Sequence, residues 1–257
     1  RITYQRFFRR YGRLSGMTGT ATDAAWELWS VYRLPVTIIP TNKKDIRKFA
    51  TDRVYRTAAA KWDAVAKRTR ALNKKGLPVL IGTRSVSASD EASKRLTDAG
   101  IEHQVLSAAQ DADEAAIVAK AGQEGAVTIA TNMAGRGTDI KLTDEIAARG
   151  GLHVLLTERH DSRRVDRQLE GRCGRQGQPG RCEAFLSLED ELMRGDGARR
   201  LRWMAGIVAT ILGPRAAGRY LRTRQKQVEA QHALIRRDLL DADGELNKLL
   251  ALSGEME

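Results

Sequence analysis

Cysteine is scarce: only Cys173 and Cys182 occur in 257 residues. They form no CxxC arrangement, which excludes a zinc ribbon and a disulfide-stapled secreted scaffold and fits a reducing compartment. Both read as small buried side chains without metal or redox work. With five prolines and 23 glycines, the chain is neither a Pro-rich nor a collagen-like polymer. Long apolar runs are missing too. The longest, Trp203–Gly213, is roughly half of the ~20 residues a membrane-spanning helix needs. No charged-then-apolar signal opens the chain, and its first residue is Arg1, so a preceding segment is expected.

Negative charge is short. Lys and Arg number 44 against 32 Asp and Glu, a formal net charge of +12. That excess suits an acidic partner, be it nucleic acid, anionic lipid or phosphate, and charge alone does not choose among them. It is heaviest after Arg194, through Arg199, Arg200, Arg202, Arg215, Arg219, Arg222, Arg224 and Lys226. A hydrophobic fraction of 42% with 30% charged residues describes a globular chain. It excludes wholesale disorder and a polytopic membrane protein. The length suits one large domain or two small ones.

Short β-branched runs alternate with longer helical patterns from Val36 to Leu188. Strands are expected at Val36–Ile39, Val54–Thr57, Leu77–Gly82, His103–Leu106, Ala126–Thr131, Leu152–Thr157 and Cys182–Leu188. Helices are expected at Ala58–Lys75, Val86–Ala99, Asp111–Ala121 and Ser162–Cys173. Runs such as Val79-Leu80-Ile81 do not alternate with polar residues, which suits parallel strands covered on both faces. The pattern is that of an open, doubly wound α/β sheet, whose chemistry sits in loops at the carboxyl ends of the strands. After Asp190 the strand signals stop, and Pro214 opens a long amphipathic helix to about Leu252.

Unusual residues gather in those loops. In Asn132–Asp139, Gly135 and Gly137 allow backbone conformations denied to other residues. Arg136 and Asp139 can contact phosphate, and Asp139 can also take part in magnesium or water contacts. Alone, this turn fits a surface salt bridge equally well. The run Gln168–Gly177 places Arg172 and Arg175 three apart at a helix end, so both can point to one face. Two guanidiniums projecting into a cleft suit recognition of a triphosphate; a solvated basic helix end is the competing reading, weakened once both clusters are considered. No Gly-x-x-x-x-Gly-Lys-Ser/Thr loop and no acidic quartet for magnesium occur. The chain therefore reads as the second half of a two-lobed ATPase.

These residues resemble the SecA family, the ATPase motors of bacterial preprotein export. Gly16–Ala21 is similar to the family's GMTGTA, Ile39–Asn42 to IPTN, and Thr128–Ile140 to TIATNMAGRGTDI. Gly150–Val154, Thr157–His160, Ser162–Arg164, Gly174–Gly177 and Leu186–Asp190 continue the likeness, and Gln225–Asn247 is similar to the start of the scaffold helix. The resemblance implies an α/β, RecA-like lobe of the P-loop NTPase helicase type, followed by a helical scaffold. Residues 1–35 would close the first nucleotide-binding lobe, 36–194 form the second, and 195–257 begin the scaffold.

It implies catalytic arginines at Arg175, the finger, and Arg172 beside it, and nucleotide contacts at Gly135, Gly137, Thr138, Asp139, Gln168 and Gln176. ATP and magnesium would be held mainly by the first lobe, and the fragment alone would not hydrolyse ATP. Implied partners are a SecY-type translocation channel, preproteins and anionic membrane lipids. A homodimer is allowed, and nucleic acid is not the expected partner. The implied location is cytoplasmic, peripheral on the inner face of the cell membrane. Against the family's Arg-Gly-Arg-Ser-Gly-Arg-Gln-Gly-Asp, Glu170 replaces the first Arg, Cys173 the Ser and Gln178 the nucleotide-contacting Asp. Ala24 stands where an acid is common, and the basic balance is unusual for the family. Nothing here matches the family's wing domain or zinc-binding tail.

Two rivals remain: the second lobe of a superfamily-two RNA or DNA helicase-like ATPase, and a non-catalytic SecA-like interaction module, motivated by Gln178 and Glu170. Elsewhere, His153 is expected as a satisfied core histidine and His103 at a strand edge, with Trp26, Trp29 and Trp62 packed. The Arg-rich stretch Arg194–Arg224 suits anionic lipid or packing against other domains equally.

Overall fold

The computed structural model describes residues 3–106, 111–131, 134–135, 137–194, 202–207 and 214–252. Two compact units result, Arg1–Pro40 with Gln227–Glu257, and Thr41–Lys226.

The first unit contains helices α1 (Tyr4–Phe8) and α2 (Ala25–Tyr32). Thr3 caps α1 by accepting from the Arg6 amide. Glu27 on α2 takes a two-pronged ion pair from Arg236, at 2.7 and 3.0 Å. Two expectations fail here. Residues 36–39 are not a strand: they lie between Pro35 and Pro40, and no described residue of the unit supplies a ladder. Ile38 and Ile39 are exposed. Trp26 and Trp29 are not packed either, being 73% and 51% exposed, because α2 buries no residue at all.

The second unit is the sheet. Its strands are β1 (Lys48–Phe49), β2 (Arg53–Tyr55), β3 (Val79–Thr83), β4 (Gln104–Leu106), β5 (Val127–Thr131), β6 (Leu152–Leu156) and β7 (Gly180–Ser187). All pair in parallel in the order β1-β7-β6-β3-β5-β4, with β2 also pairing β7 further along. Helices α3 (Ala58–Asn73), α4 (Val86–Asp98), α5 (Asp111–Lys120), α6 (Asp144–Ala148) and α7 (Arg163–Glu170) make the connections. The helix α8 (Pro214–Leu252) begins in this unit, and residues 202–207 are helical.

Every residue of β3 and β6 is buried, as an apolar strand without alternation requires when both faces are covered. The pleat divides them: Leu80, Val154 and Leu156 join one core with Val118, Leu169 and Leu221. Val79, Ile81 and Leu155 join the other with Trp62, Val65, Leu72 and Leu96. Helices α3 and α4 thus cover one face, while α5, α7 and α8 cover the other. Thr57 and Ser85 start α3 and α4 by accepting from the Ala60 and Ala88 amides, the usual work of an N-cap hydroxyl.

Gly82 on β3 is required by packing. A Cβ there would stand 1.9 Å from Leu169 Cδ2 on α7. The strand's lack of a side chain at this point lets α7 lie directly on the sheet and sets where its C-terminal end points.

Candidate functional site

From β3 the chain moves outward to β4 and back to β5, then crosses to β6 and β7 on the other side of β3. Such a reversal opens a crevice at the carboxyl ends of the strands, where open α/β sheets bind ligands. The loops after β3, β5 and β6 all emerge at this edge. An open depression of about 800 Å³ lies instead at the amino ends of β4 and β5, lined by Asn73, His103, Gln104, Lys120 and Glu124, away from those loops.

After β5, Gly135 and Gly137 take positive φ values of 67° and 84°. The Thr138 hydroxyl donates to the Gly135 carbonyl at 2.8 Å, closing the turn. Asn132, Met133 and Arg136 lie outside the described residues. Opposite stands the turn that follows α7. Ser162–Cys173 was expected to be helical, but α7 ends at Glu170 with Gly171 as its C-cap. Gly174, Gln176 and Gly177 then adopt left-handed φ, which a continued helix does not allow. For Gln176, a residue with a side chain, that conformation is strained, as is common where a ligand is clamped.

Arg172 and Arg175 therefore leave from a turn rather than a helix face, yet both reach the loop after β5. Arg172 donates to the Ala134 carbonyl at 2.8 Å and also to that of Gly135. Arg175 donates Nε to the Gly171 carbonyl at 2.9 Å, and Nη1 to the Thr138 carbonyl at 3.2 Å and to Asp139 Oδ1 at 2.7 Å. Six residues singled out in the sequence, Gly135, Gly137, Thr138, Asp139, Arg172 and Arg175, thus share one place. Gln168 and Gln176 are exposed, on α7 and in the turn. The Gln178 amide donates to the Arg175 carbonyl at 2.9 Å, tightening the turn.

Magnesium fits poorly on this chain alone. Asp139 is engaged by Arg175, and no group of three or more His, Cys, Asp or Glu able to hold a metal occurs among the described residues. No helix among them is long and apolar enough to cross a membrane.

Sequence reasoning missed the buried polar network beneath the turn. Asp166 on α7, fully buried, accepts from the His160 amide at 3.0 Å, Arg159 Nη1 at 3.3 Å and Gln225 Nε2 on α8 at 2.7 Å. His160 Nδ1 is also 2.8 Å from its carboxylate. Burial opposes the Asp166 charge, but the His160 hydrogen bond and the Arg159 guanidinium outweigh it and hold the carboxyl below the usual range. Arg159 in turn reaches Asp52 at 2.9 Å and Glu170 at 3.4 Å. Despite burial, these acids keep it charged. Arg222 on α8 binds Asp52 as well. The motif Thr157–His160 stands out in the sequence, but nothing in the spacing of Asp52, Asp166 and Gln225 announces that they meet it.

Lys61, inside α3, pairs with Asp190 at 2.6 Å and approaches Glu158 at 3.8 Å. Burial nevertheless pushes the Asp190 carboxyl up to about 6. His153 is a core residue as expected, but it is not satisfied: Nδ1 has no hydrogen-bond partner. Burial, with Arg68 nearby, lowers its pKa to about 4. His103 sits beside β4 with Nδ1 2.9 Å from the Ile101 carbonyl.

A fully parallel sheet with helices on both faces is the architecture of a RecA-like lobe of the helicase type. Comparison with known proteins narrows the class. The SecA P-loop domain model matches residues 44–148 and 143–209, and the SecA DEAD-like domain model matches residues 1–29. The chain belongs to the SecA family of protein translocase subunits. It is 52% identical to protein translocase subunit SecA 2 of Bordetella avium over 260 aligned positions, covering 99% of this chain and 39% of that protein. It is 49% identical to protein translocase subunit SecA of Lawsonia intracellularis, covering 96% of this chain and 30% of that one. The chain thus spans well under half the length of these relatives. A solved structure of the E. coli DEAD-box protein SrmB aligns at 20% identity and a TM-score of 0.46, covering 58% of this chain and 82% of that chain.

Proposed function

We propose that this chain is the second motor lobe of a SecA-type ATPase that couples ATP binding and hydrolysis to preprotein translocation through a SecY-type membrane channel. In this reading residues 1–35 close the first nucleotide-binding lobe, 36–194 form the second and 195–257 begin the helical scaffold. The observation that carries it is the meeting of two motifs. Arg175 bonds to Thr138 and Asp139, and Arg172 to Ala134 and Gly135, at the ligand-binding edge of the sheet.

Arg175 and Asp139 are 37% and 48% exposed. An exposed pair of this kind is worth at most about 1 kcal/mol, so a phosphate can take the place of Asp139 at small cost. Arg175 then serves as the finger that stabilises charge on the transferring phosphoryl group, a role worth roughly 10³–10⁵ in rate. Arg172 anchors the turn to the loop after β5. Gly135, Gly137, Thr138 and Asp139 register nucleotide state by exchanging Arg175, and Gln168 and Gln176 lie on the rim. ATP and magnesium are held mainly by a first lobe bearing the phosphate loop this sequence lacks. The Asp166–Gln225 network links the turn to α8, a route from nucleotide state to scaffold.

The partners are the channel, preproteins and anionic lipids at the inner face of the cell membrane, with homodimerisation compatible. The +12 charge and the fold class favour one rival, an RNA or DNA helicase lobe. The test is ATP turnover of the protein containing this lobe and its preceding one. Stimulation by channel-bearing anionic vesicles and not by RNA is expected; stimulation by RNA alone would establish the rival.

A further inference from the structure

Cys173 and Cys182, nine residues apart, bring their sulfurs within 3.4 Å of each other. Both are free thiols, buried. Cys173 stands in the turn between Arg172 and Arg175, and Cys182 on β7. Each sulfur also approaches the Glu170 carbonyl, at 3.5 and 3.7 Å. We infer that the two thiols are a modification site: a peroxide converts them to a reversible disulfide, and that bond displaces the arginine turn.

A disulfide holds its sulfurs about 2.05 Å apart, so the two must close by roughly 1.3 Å, drawing the turn and β7 together. Cys182 is fixed by the ladders of a central strand. The turn is held by the side-chain bonds of Arg172 and Arg175 rather than by a ladder, and it is the part that gives way. Gly180 on β7, having no side chain, is what lets the turn lie this close: a Cβ there would be 2.9 Å from Cys173 Cβ. The displacement therefore passes along the turn to Arg172 and Arg175 on either side.

The two thiols are unequal. The hydrogen bond from Cys182 and the guanidinium of Arg47 lower the Cys173 pKa against its burial, while the Cys182 thiol is pushed up. The Arg47 guanidinium favours the charged form of Cys173, so the attack is written from this sulfur, which reacts through its thiolate fraction. It forms a bond to one peroxide oxygen as the O–O bond breaks, giving a sulfenic acid; the departing hydroxide takes up the Cys173 proton as water. The Cys182 sulfur then attacks the sulfenic sulfur and the S–O bond breaks, releasing hydroxide, which leaves with the Cys182 proton as a second water. Two thiols lose two protons and two electrons, and peroxide is reduced to two waters. Peroxide is close to water in size, and residues 174–179, which follow Cys173 in the turn, are only partly buried, with Gln176 exposed.

The test treats the protein with hydrogen peroxide and maps its peptides without reduction. A peptide linking Cys173 to Cys182 is expected, reversed by dithiothreitol and absent from Cys182→Ala. Amide exchange across residues 134–139 should quicken at least about tenfold on oxidation, as Arg172 and Arg175 lose their carbonyl partners. In Cys182→Ala it should not change. Either no linked peptide, with the thiols intact or oxidised singly, or a linked peptide that leaves exchange unaltered overturns the inference. Its consequence for catalysis rests on the proposed function. ATP turnover of the two-lobed protein should fall at least about tenfold on oxidation and return on reduction, with Cys182→Ala resistant and within about twofold of the parent beforehand. Loss of turnover in Cys182→Ala as well would place the damage elsewhere. A reduced protein that does not turn over ATP would contradict the proposed function, while mapping and exchange still decide the disulfide.

Discussion

Adding one methyl group at Gly82 should disable the arginine turn from beneath. The alanine Cβ would meet Leu169 Cδ2 at 1.9 Å, Cγ at 2.8 Å and Cδ1 at 3.0 Å. Ordinary contact begins at 3.4 Å, so Leu169 must retreat by about 1.5 Å, toward the small cavity it lines with Leu80, Ala130 and Arg172 or by moving α7. It is 2% exposed and packed among Leu80, Ala130 and Cys173. Overpacking of this kind costs about 1–3 kcal/mol, and part of it is relieved by moving α7. Arg172 follows Leu169 by three residues, and a displacement near 1 Å at a catalytic group can cost about 10²-fold in rate.

Gly82→Ala should therefore lower both the urea midpoint of this chain and ATP turnover of the two-lobed protein. Leu169→Ala alone leaves a void and costs about 2–5 kcal/mol. In the double variant the new methyl occupies part of that void, so its loss should fall short of the sum of the singles by about 1 kcal/mol or more. Additive losses, or a Gly82→Ala protein within about 0.5 kcal/mol of the parent, would refute the reasoning.

Other perturbations separate the buried groups. Asp166→Ala should cost about 3–5 kcal/mol in chemical denaturation, since it strands Arg159, His160 and Gln225 together; a loss near that of a surface substitution would remove the network from the stability of the fold. His153 and Asp190 should oppose each other in acid. His153 is held at about 4 in the fold against ~6.5 unfolded. Its contribution is present above pH ~6.5 and lost as pH falls toward 4. Asp190, raised from 3.8 to about 6, contributes fully below pH ~3.8 and loses that contribution as pH rises through about 6. Each amounts to about 3 kcal/mol, so the slopes nearly cancel in the parent. Relative to it, His153→Asn should gain stability on going from pH 7 to pH 4.5 and Asp190→Asn should lose it. Equal pH slopes in all three proteins would contradict both assignments.

The sheet is legible because burial on both faces leaves an unbroken apolar mark: strands expected at Leu77–Gly82, Ala126–Thr131 and Leu152–Thr157 form at Val79–Thr83, Val127–Thr131 and Leu152–Leu156. Pro214 and the spacing of Leu221 and later leucines placed α8. Val36–Ile39 misled because β-branched residues register strand propensity, whereas a strand exists only with a partner edge. Trp26 and Trp29 misled similarly, since bulk predicts packing only where a core is present. At the site, motif text locates both arginines, but the helix expected through Cys173 ends at Glu170, and the backbone turns left-handed at Gly174. Contacts made across the fold left no local trace. Asp166 with Gln225, Lys61 with Asp190, and Cys173 with Cys182 are joined by topology, so spacing along the chain is silent about them.

The most direct measurement is ATP binding and turnover by the two-lobed protein carrying Arg175→Ala. If Arg175 is the finger, turnover should fall by roughly 10³-fold or more while nucleotide affinity stays close to that of the parent. Turnover at the parent's rate would contradict the assignment of this lobe's chemistry to the arginine turn.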